Sequence, residues 1–227
     1  MEEGREFPEL EEPLGRLGLR VQRVPREALD DMVGEGLARG ILVQAEPPAS
    51  RPLDQLLAAP KPPGARRRIL VALDEVGDPG NLGAIMRSAE FFGTVGILWT
   101  KDRAAPLSAL AVRASVGATE RLPHAVVTNL SRALEDAKAA GWWVVGTAPE
   151  GDLSLGDAEA KIPEDIVIVM GSEQRGLRRI TAERCDFLVR IERVGEVASL
   201  NVSVAAAVVL SALGGAASTT SKDAVDD

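Results

Sequence analysis

From residue 69 onward, short apolar runs alternate with amphipathic helical segments, and this alternation constrains the fold more than any other feature. Runs such as ILVAL at 69–73 and DIVIVM at 165–170 are almost continuously apolar. Strands of this composition are typical of parallel sheets that helices cover on both faces. Helices are predicted near 82–92, 106–115, 130–140, 178–184 and 201–213. The sequence therefore predicts an α/β fold built on a parallel sheet.

Composition excludes several classes of protein. The 227-residue chain has one cysteine, Cys185, and one histidine, His124, which argues against disulfides, zinc clusters and His-dependent triads. The apolar runs are too short to span a bilayer, and glutamates crowd the first twelve residues, where a secretory signal would be apolar. We expect no metal, no membrane partner, and a location in a bacterial cytoplasm or a mitochondrial or other organellar matrix.

Proline and charge divide the chain into four parts. Residues 1–46 are predicted to form a small unit, with strands at 19–24 and 41–46 around a helix at 25–33. Residues 47–68 contain six prolines and are predicted to be a linker. Residues 69–215 form the α/β domain, and the polar tail at 216–227 is predicted to be disordered. The linker carries a basic run, which fits either a solvated segment or an RNA-facing patch: Lys61, Arg66, Arg67 and Arg68.

Glycine-rich polar loops follow several of the predicted strands. The loops are DEVGDPGN, TAPEG, GSEQRGL and ERVGEVASLN. Ligands of such sheets bind beyond the carboxyl ends of the strands. The first loop spaces its glycines as G-x-x-G-x-x-G, which differs from the dinucleotide fingerprint G-x-G-x-x-G, and no P-loop is present. A nicotinamide or nucleoside-triphosphate enzyme is therefore disfavoured.

Arg87 lies on the helix that follows the first loop. Helical spacing places it over Gly83 and aims it toward Asn81, because side chains lean toward the helix N-terminus. The alternative is a surface ion pair with Glu90. The position over a glycine at the ligand edge favours a functional arginine.

Three segments of the sequence, NLGAIMRSAEFFG, IVMGSEQRGL and SLNVSVAAAVVL, resemble in order and spacing the signature motifs of the SpoU/TrmH ribose 2′-O-methyltransferases of the SPOUT superfamily. The resemblance covers about 69–213. Within the family, the chain is most similar to the bacterial and mitochondrial enzymes that methylate a guanosine of large-subunit rRNA. It implies a carboxyl-terminal trefoil knot that binds S-adenosyl-L-methionine, a homodimer, and an RNA substrate that is rRNA rather than tRNA.

The resemblance also implies site residues. The implied catalytic set is Asn81, Arg87, Glu173, Ser199 and Asn201. The implied cofactor-binding set is Gly146, Thr147, Gly171, Ile191 and Leu200. A bulky side chain at Gly171 is expected to block the cofactor pocket without unfolding the protein. The chemistry agrees with these sets, because a ribose hydroxyl is a poor nucleophile whose developing charge must be stabilised. Arginine remains protonated in proteins, so we assign Arg87 to stabilisation and positioning.

The chain departs from the family pattern in two places. The third motif usually begins Ile-Pro-Met, whereas this chain has Ile191-Glu192-Arg193, which is expected to weaken cofactor binding. Residues 1–46 resemble only the second half of the family's RNA-binding domain, so that domain is either trimmed or reduced. Two alternatives stay open: a non-catalytic RNA-binding ribosome-assembly factor that keeps the fold, and a tRNA 2′-O-methyltransferase. Ser199 and Asn201 could also serve simply as helix caps.

Overall fold

The structure, a computed structural model, describes residues 1–34 and 38–215. The chain forms two compact units, Met1–Pro47 and the residues from Pro48 onward. The predicted disordered tail at 216–227 lies outside the described residues.

The first unit contains two helices, α1 at Pro8–Arg16 and α2 at Arg26–Val33. The predicted helix at 25–33 is confirmed, and α1 was not predicted. The strands predicted at 19–24 and 41–46 are wrong, since only an isolated bridge between Glu2 and Val24 forms near them. The apolar side chains that suggested these strands are largely exposed, so strand pairing there would bury little apolar surface: Leu19, Val21 and Val43.

The second unit alternates strands and helices along its whole length. Its elements are α3 Leu53–Leu57, β1 Arg68–Asp74, α4 Pro79–Phe91, β2 Gly96–Thr100, α5 Ala109–Ser115, β3 His124–Val127, α6 Leu130–Ala139, β4 Trp143–Thr147, β5 Leu153–Ser154, α7 Leu155–Lys161, β6 Asp165–Gly171, α8 Arg179–Ala182, β7 Phe187–Arg190 and α9 Val202–Leu213. The segment that contains β5 and α7 was predicted to be a loop.

The seven strands form one parallel sheet in the order β3-β2-β1-β6-β4-β7-β5. Successive side chains of β1 point to opposite faces, as the strand period requires. Ile69 and Val71 join a core that includes α4, α7 and α9, whereas Leu70 and Ala72 join a core that includes α3 and α6. The predicted parallel sheet with helices on both faces is therefore confirmed. The trefoil knot stays a prediction.

The segment predicted as a linker at 47–68 differs from that expectation, because the residues from Pro48 onward belong to the second unit and include α3. Leu56 and Leu57 of α3 are buried and belong to the core on one face of the sheet. The indole of Trp142 donates a hydrogen bond to the carbonyl of Leu57 at 3.3 Å. The proline content predicted an extended spacer. Burial of two adjacent leucine side chains favours packing of this segment against the sheet instead.

The three arginines of the basic run make contacts within the fold, whereas Lys61 is exposed and lies 3.3 Å from Glu164. An RNA-facing role for the run stays a prediction. Arg67 is buried, and its guanidinium donates to backbone carbonyls near the ends of α7 and α9, including that of Leu213 at 2.8 Å. Arg68 pairs with Asp165 at 2.8 Å. Arg66 pairs with Glu159. These arginines satisfy carbonyls and carboxylates that would otherwise lie unpaired, so they stabilise the fold.

No helix within residues 1–34 and 38–215 combines the length and the apolar character needed to cross a membrane.

Candidate active site

The loop after β1 leads directly into α4, and its polar residues organise the helix start. Asp78 is the N-cap, and its Oδ1 accepts a hydrogen bond from the backbone N–H of Asn81 at 2.7 Å. Pro79 occupies the first turn, where its missing N–H costs nothing. The side chain of Asn81 is thereby held at the carboxyl edge of the sheet, close to the positive end of the helix dipole.

Gly83 has a packing role that the sequence did not reveal. A Cβ added there would collide with the backbone carbonyl of Ala111 and with the side chain of Ala114 on α5. The glycine therefore lets α4 and α5 approach closely, and it does not open space for a ligand.

Asn81, Glu173 and Asn201 come from the three separate sequence motifs and meet in one hydrogen-bonded cluster. The amide Nδ2 of Asn81 donates to Oε1 of Glu173. Its Oδ1 accepts from Nδ2 of Asn201 at 3.0 Å. The side-chain oxygen of Asn201 already accepts from the backbone N–H of Ser203 at 2.8 Å, which caps α9. The cap therefore fixes the orientation of both amides, and the predicted capping role of Asn201 coexists with its place in the cluster.

Arg87 is exposed on α4, one turn beyond Gly83. Its guanidinium makes no ion pair or hydrogen bond with any residue in the described part of the chain. Glu90, the partner in the alternative interpretation, lies 3.9 Å from Arg121 instead. The surface pair between Arg87 and Glu90 is therefore wrong, and the guanidinium remains available to an external group.

The predicted cofactor residues mostly share one edge of the sheet. Gly146 and Thr147 end β4, Gly171 ends β6, and Ile191 follows β7; these three strands are neighbours. Thr147 donates from Oγ1 to the carbonyl of Val169 at 3.2 Å, and Ile191 is partly buried against the core. The edge thus presents backbone groups and apolar side chains in one row.

The expectation for Gly171 needs correction. A Cβ at this position would collide with the backbone of Gly176 and Leu177. A larger side chain would therefore displace the loop that carries Glu173 and would not merely fill a ligand pocket. Gly146 is constrained in the same way, because an added Cβ would collide with Cys185.

In the loop between β7 and α9, residues 192–201 are exposed. Leu200 is 48% exposed and Val197 78% exposed. Ser199 is also exposed, and its hydroxyl makes no hydrogen bond with a described residue. The structure therefore places Ser199 and Leu200 on the segment that reaches Asn201, but it does not bring either side chain into the hydrogen-bonded cluster.

The part of the chain that the structure describes holds neither a reactive cysteine nor a preformed metal centre. Burial, with a smaller contribution from Asp186, raises the pKa of the Cys185 thiol to about 12, so this thiol is protonated at neutral pH. Within residues 1–34 and 38–215, no group of three or more histidine, cysteine, aspartate or glutamate side chains is arranged to hold a metal ion.

Sequence reasoning missed Asp74 and Arg178. Asp74 is the last residue of β1 and is completely buried, and the Nε of Arg178 donates to its Oδ1 at 2.6 Å. A charged residue that ends an apolar strand was the available signal. It was treated as part of the loop because nothing in the sequence named its partner, which is 104 residues away.

The parallel sheet and the polar cluster together define an α/β protein with a candidate active site at the carboxyl ends of its strands. The sequence pattern of the SpoU rRNA Methylase family matches residues 68–211. The chain belongs to this family.

Three similar proteins refine the comparison. An uncharacterized tRNA/rRNA methyltransferase of Mycobacterium avium is 44% identical over 195 residues, which cover 85% of this chain and 61% of that protein. The 23S rRNA (guanosine-2′-O-)-methyltransferase RlmB of Vibrio cholerae is 39% identical over 212 residues, covering 92% of this chain and 83% of that protein. The crystal structure of the SpoU methyltransferase AviRb from Streptomyces viridochromogenes, in complex with AdoMet, has a TM-score of 0.69 and 26% identity, covering 92% of this chain and 78% of that one. The chain thus spans about three fifths of the length of the mycobacterial relative.

Proposed function

We propose that this protein is an S-adenosylmethionine-dependent RNA methyltransferase that methylates a ribose 2′-hydroxyl, on a guanosine of large-subunit rRNA. The observation that carries the proposal is the hydrogen-bonded cluster of Asn81, Glu173 and Asn201. Three polar side chains from distant motifs converge at the exposed edge of the sheet, where their contacts add little stability. Such convergence is typical of a functional site. The name of the Vibrio relative supports the choice of guanosine and rRNA.

The strand edge that holds the predicted cofactor residues fits S-adenosylmethionine. Backbone groups at the ends of β4 and β6, together with the apolar side chains of Ile191 and Leu200, would hold this cofactor. When bound, this cofactor supplies a methyl group activated by a sulfonium, which needs no metal. AviRb, bound to AdoMet, supports the assignment.

Arg87 and Glu173 divide the remaining chemistry. The guanidinium of Arg87 is free to bind an RNA phosphate or to stabilise negative charge on the ribose oxygen. Glu173 uses Oε1 to accept from Asn81, and its other carboxylate oxygen makes no hydrogen bond within the described chain. We assign that oxygen to receive the hydroxyl proton. Asn81 and Asn201 then orient the carboxylate.

We further propose that the protein is a homodimer whose interface includes α9. This helix is apolar on both sides: Val209 and Leu210 are buried in the core, whereas Val204 and Val208 are 48% and 37% exposed. A second copy of the chain would cover the exposed side. The exposed loop before α9, which contains Leu200, would then be ordered beside the partner.

Two alternatives remain candidates because of specific features. The charged Glu192 in the third motif would suit a non-catalytic RNA-binding assembly factor with a weakened cofactor site. The mycobacterial relative's name includes tRNA, which would suit a tRNA methyltransferase. Methylation of rRNA takes place where ribosomes are assembled, so the proposed function implies a bacterial cytoplasm or an organellar matrix as the location.

One experiment separates these functions. Calorimetry of the full chain with S-adenosylmethionine should show saturable binding, and the absence of heat would favour the non-catalytic factor. The same preparation is then given tritiated cofactor with unmodified transcripts of large-subunit rRNA and of tRNA in parallel. We expect label in the rRNA transcript; label in tRNA alone would assign the protein to tRNA.

A further inference from the structure

Asp74 lies at the point where two neighbouring strands end together. It is the last residue of β1, and in the parallel ladder it pairs with Gly171, the last residue of β6. Its side chain is 0% exposed. A buried carboxylate is stable only when charge and hydrogen bonds compensate it, so its partners identify its role.

Both partners of that carboxylate belong to Arg178. The backbone N–H of Arg178 donates to Oδ2 of Asp74 at 2.9 Å, and the side-chain Nε donates to Oδ1 at 2.6 Å. The side chain of Arg178 is 32% exposed, and a terminal nitrogen of its guanidinium lies 3.6 Å from Glu75. Asp74 therefore fixes both the main chain and the side chain at this position.

The segment between Gly171 and Arg178 carries Glu173. It leaves β6 beside Asp74 and returns to Asp74 seven residues later. Between these points, Ser172 and Gly176 close a tight turn through two backbone hydrogen bonds of 3.1 and 2.9 Å. We call residues 172–178 the Glu173 loop. Because both of its ends are fixed at Asp74, the loop has little freedom to carry Glu173 away from Asn81.

Glu75 contacts the guanidinium of Arg178 as an ion pair only. It adopts a left-handed backbone conformation with φ of 60°, which costs a non-glycine residue free energy. This turn brings its carboxylate to 3.3 Å from Arg103 and 3.6 Å from Arg178. Glu75 accepts no hydrogen bond from the backbone of the Glu173 loop, so it touches the guanidinium without fixing the loop itself.

We propose that Asp74 and Arg178 are positioning residues that hold the Glu173 loop in its reactive placement. In this role they act through Glu173, by restraining the loop that carries it. The catalytic part of this inference rests on the proposed function, whereas the restraint on the loop does not. A displacement of about 1 Å at a reacting group can lower a rate about 10²-fold, so a small loss of restraint has a large effect on turnover.

Arg178→Lys is the sharpest variant. Lysine keeps the positive charge and the backbone N–H bond to Asp74, but it cannot place a donor where Nε lies. Glu75→Gln is the matched control, because it removes a charge beside the same guanidinium and leaves both bonds to Asp74 intact. Asp74→Asn changes the other partner, since the single oxygen of an amide can accept only one of the two donated hydrogen bonds. This variant tests the inference if Arg178→Lys does not fold.

The first readout is hydrogen–deuterium exchange of the full chain, which requires no activity. In Arg178→Lys, the amides of Ser172 and Gly176 should exchange at least about 10-fold faster, while those of β1 and β6 remain unchanged. Glu75→Gln should leave the loop as in the wild type. Unchanged loop exchange in the folded Arg178→Lys and Asp74→Asn variants would overturn the inference.

The second readout is methyl transfer to the unmodified large-subunit rRNA transcript. Arg178→Lys should lower kcat by about 10- to 10²-fold with KM for RNA within about 2-fold, because a misplaced Glu173 affects the reacting state and not RNA binding. Equal losses in Glu75→Gln, or a loss confined to KM, would contradict the positioning role. A wild-type protein that shows loop protection but no transfer to any RNA would refute the proposed function and leave the loop restraint standing.

Discussion

Asn201 donates from Nδ2 to Oδ1 of Asn81 at 3.0 Å across a sequence separation of 120 residues. The bond connects α4 with the N-cap of α9. Since the oxygen of Asn201 is committed to capping α9, its nitrogen is the atom that faces Asn81. Helix capping and site geometry are thus two uses of one side chain.

Asn201→Asp separates these two uses. Aspartate still accepts from Ser203 and caps α9, so the thermal midpoint should stay close to that of the wild type. It has no donor for Asn81, and it adds a negative charge near Glu173, so methyl transfer should fall at least about 10²-fold. Asn201→Ala should lose both, with a stability cost of about 1 kcal/mol. Near-wild-type transfer by the aspartate variant would remove Asn201 from the catalytic set.

Arg87 is expected to act through its guanidinium geometry. Arg87→Ala should leave S-adenosylmethionine affinity nearly unchanged and lower methyl transfer at least about 10²-fold. Arg87→Lys keeps the charge but loses the planar fork, so we expect little recovery. Calorimetry and single-turnover kinetics measure the two effects separately. Substantial recovery by lysine would indicate a purely electrostatic role.

Gly171→Ala should destabilise the protein, because its Cβ would collide with the backbone of Gly176 and Leu177. Overpacking of this kind costs about 1–3 kcal/mol of unfolding free energy, which urea denaturation measures. Gly77→Ala is the matched control, since an added Cβ there meets no atom within 4 Å. Equal stability of the two variants would restore the view that Gly171 only clears space for a ligand.

His124 predicts a pH dependence of stability. Burial first, and then the charge of Arg51, lower the pKa of His124 in the folded protein. The unfolded chain, with a histidine pKa of about 6.5, therefore binds the proton more readily. Its contribution to stability is fully present above about pH 6.5 and is lost as the pH falls through the lower folded pKa.

His124→Phe should flatten the unfolding free energy between about pH 7 and 5, because phenylalanine does not titrate. It also keeps a ring against Trp99, on which His124 stacks with centroids 5.1 Å apart. Urea denaturation at several pH values measures the slope. An unchanged slope in the variant would assign the acid sensitivity to other groups.

The proposed dimer predicts that Val208→Glu yields a monomer, because a charge on the exposed side of α9 would be buried without a partner. Light scattering at micromolar concentration should give twice the chain mass for the wild type and the chain mass for the variant. Val126→Glu on the edge strand β3, 40% exposed, serves as a control and should remain a dimer. A monomeric wild type would refute the interface.

The sheet could be predicted from the sequence because each central strand is a short, continuous apolar run. The run ILVAL is buried within β1, and the core stripe of α4, including Leu82 and Ile85, is buried as its spacing required. The segment with β5 and α7 was missed because LSLGDAEAK is short and has only two large apolar side chains, which give weak periodicity. Composition also misassigned Arg67, whose burial depends on carbonyls that the folded helices bring to it.

The residues of the candidate site were predicted from the resemblance to family motifs and not from composition or periodicity. Resemblance named Asn81, Glu173 and Asn201, and the structure brings them together. It could not reveal that Gly83 and Gly171 serve backbone packing, because the atoms they avoid belong to distant segments or to the far side of a turn. Asp74 was missed for the same reason: its partner is specified only by the fold.

The most direct test of the central claim is a single-turnover reaction of the full chain with S-adenosylmethionine and an unmodified large-subunit rRNA transcript. Mass spectrometry of the digested RNA counts 2′-O-methylated nucleosides. We predict one 2′-O-methylguanosine per transcript with the wild type, and at most about one hundredth of that initial rate with Asn201→Asp. The absence of any 2′-O-methylated nucleoside above the protein-free control, from a preparation that binds the cofactor, would contradict the account.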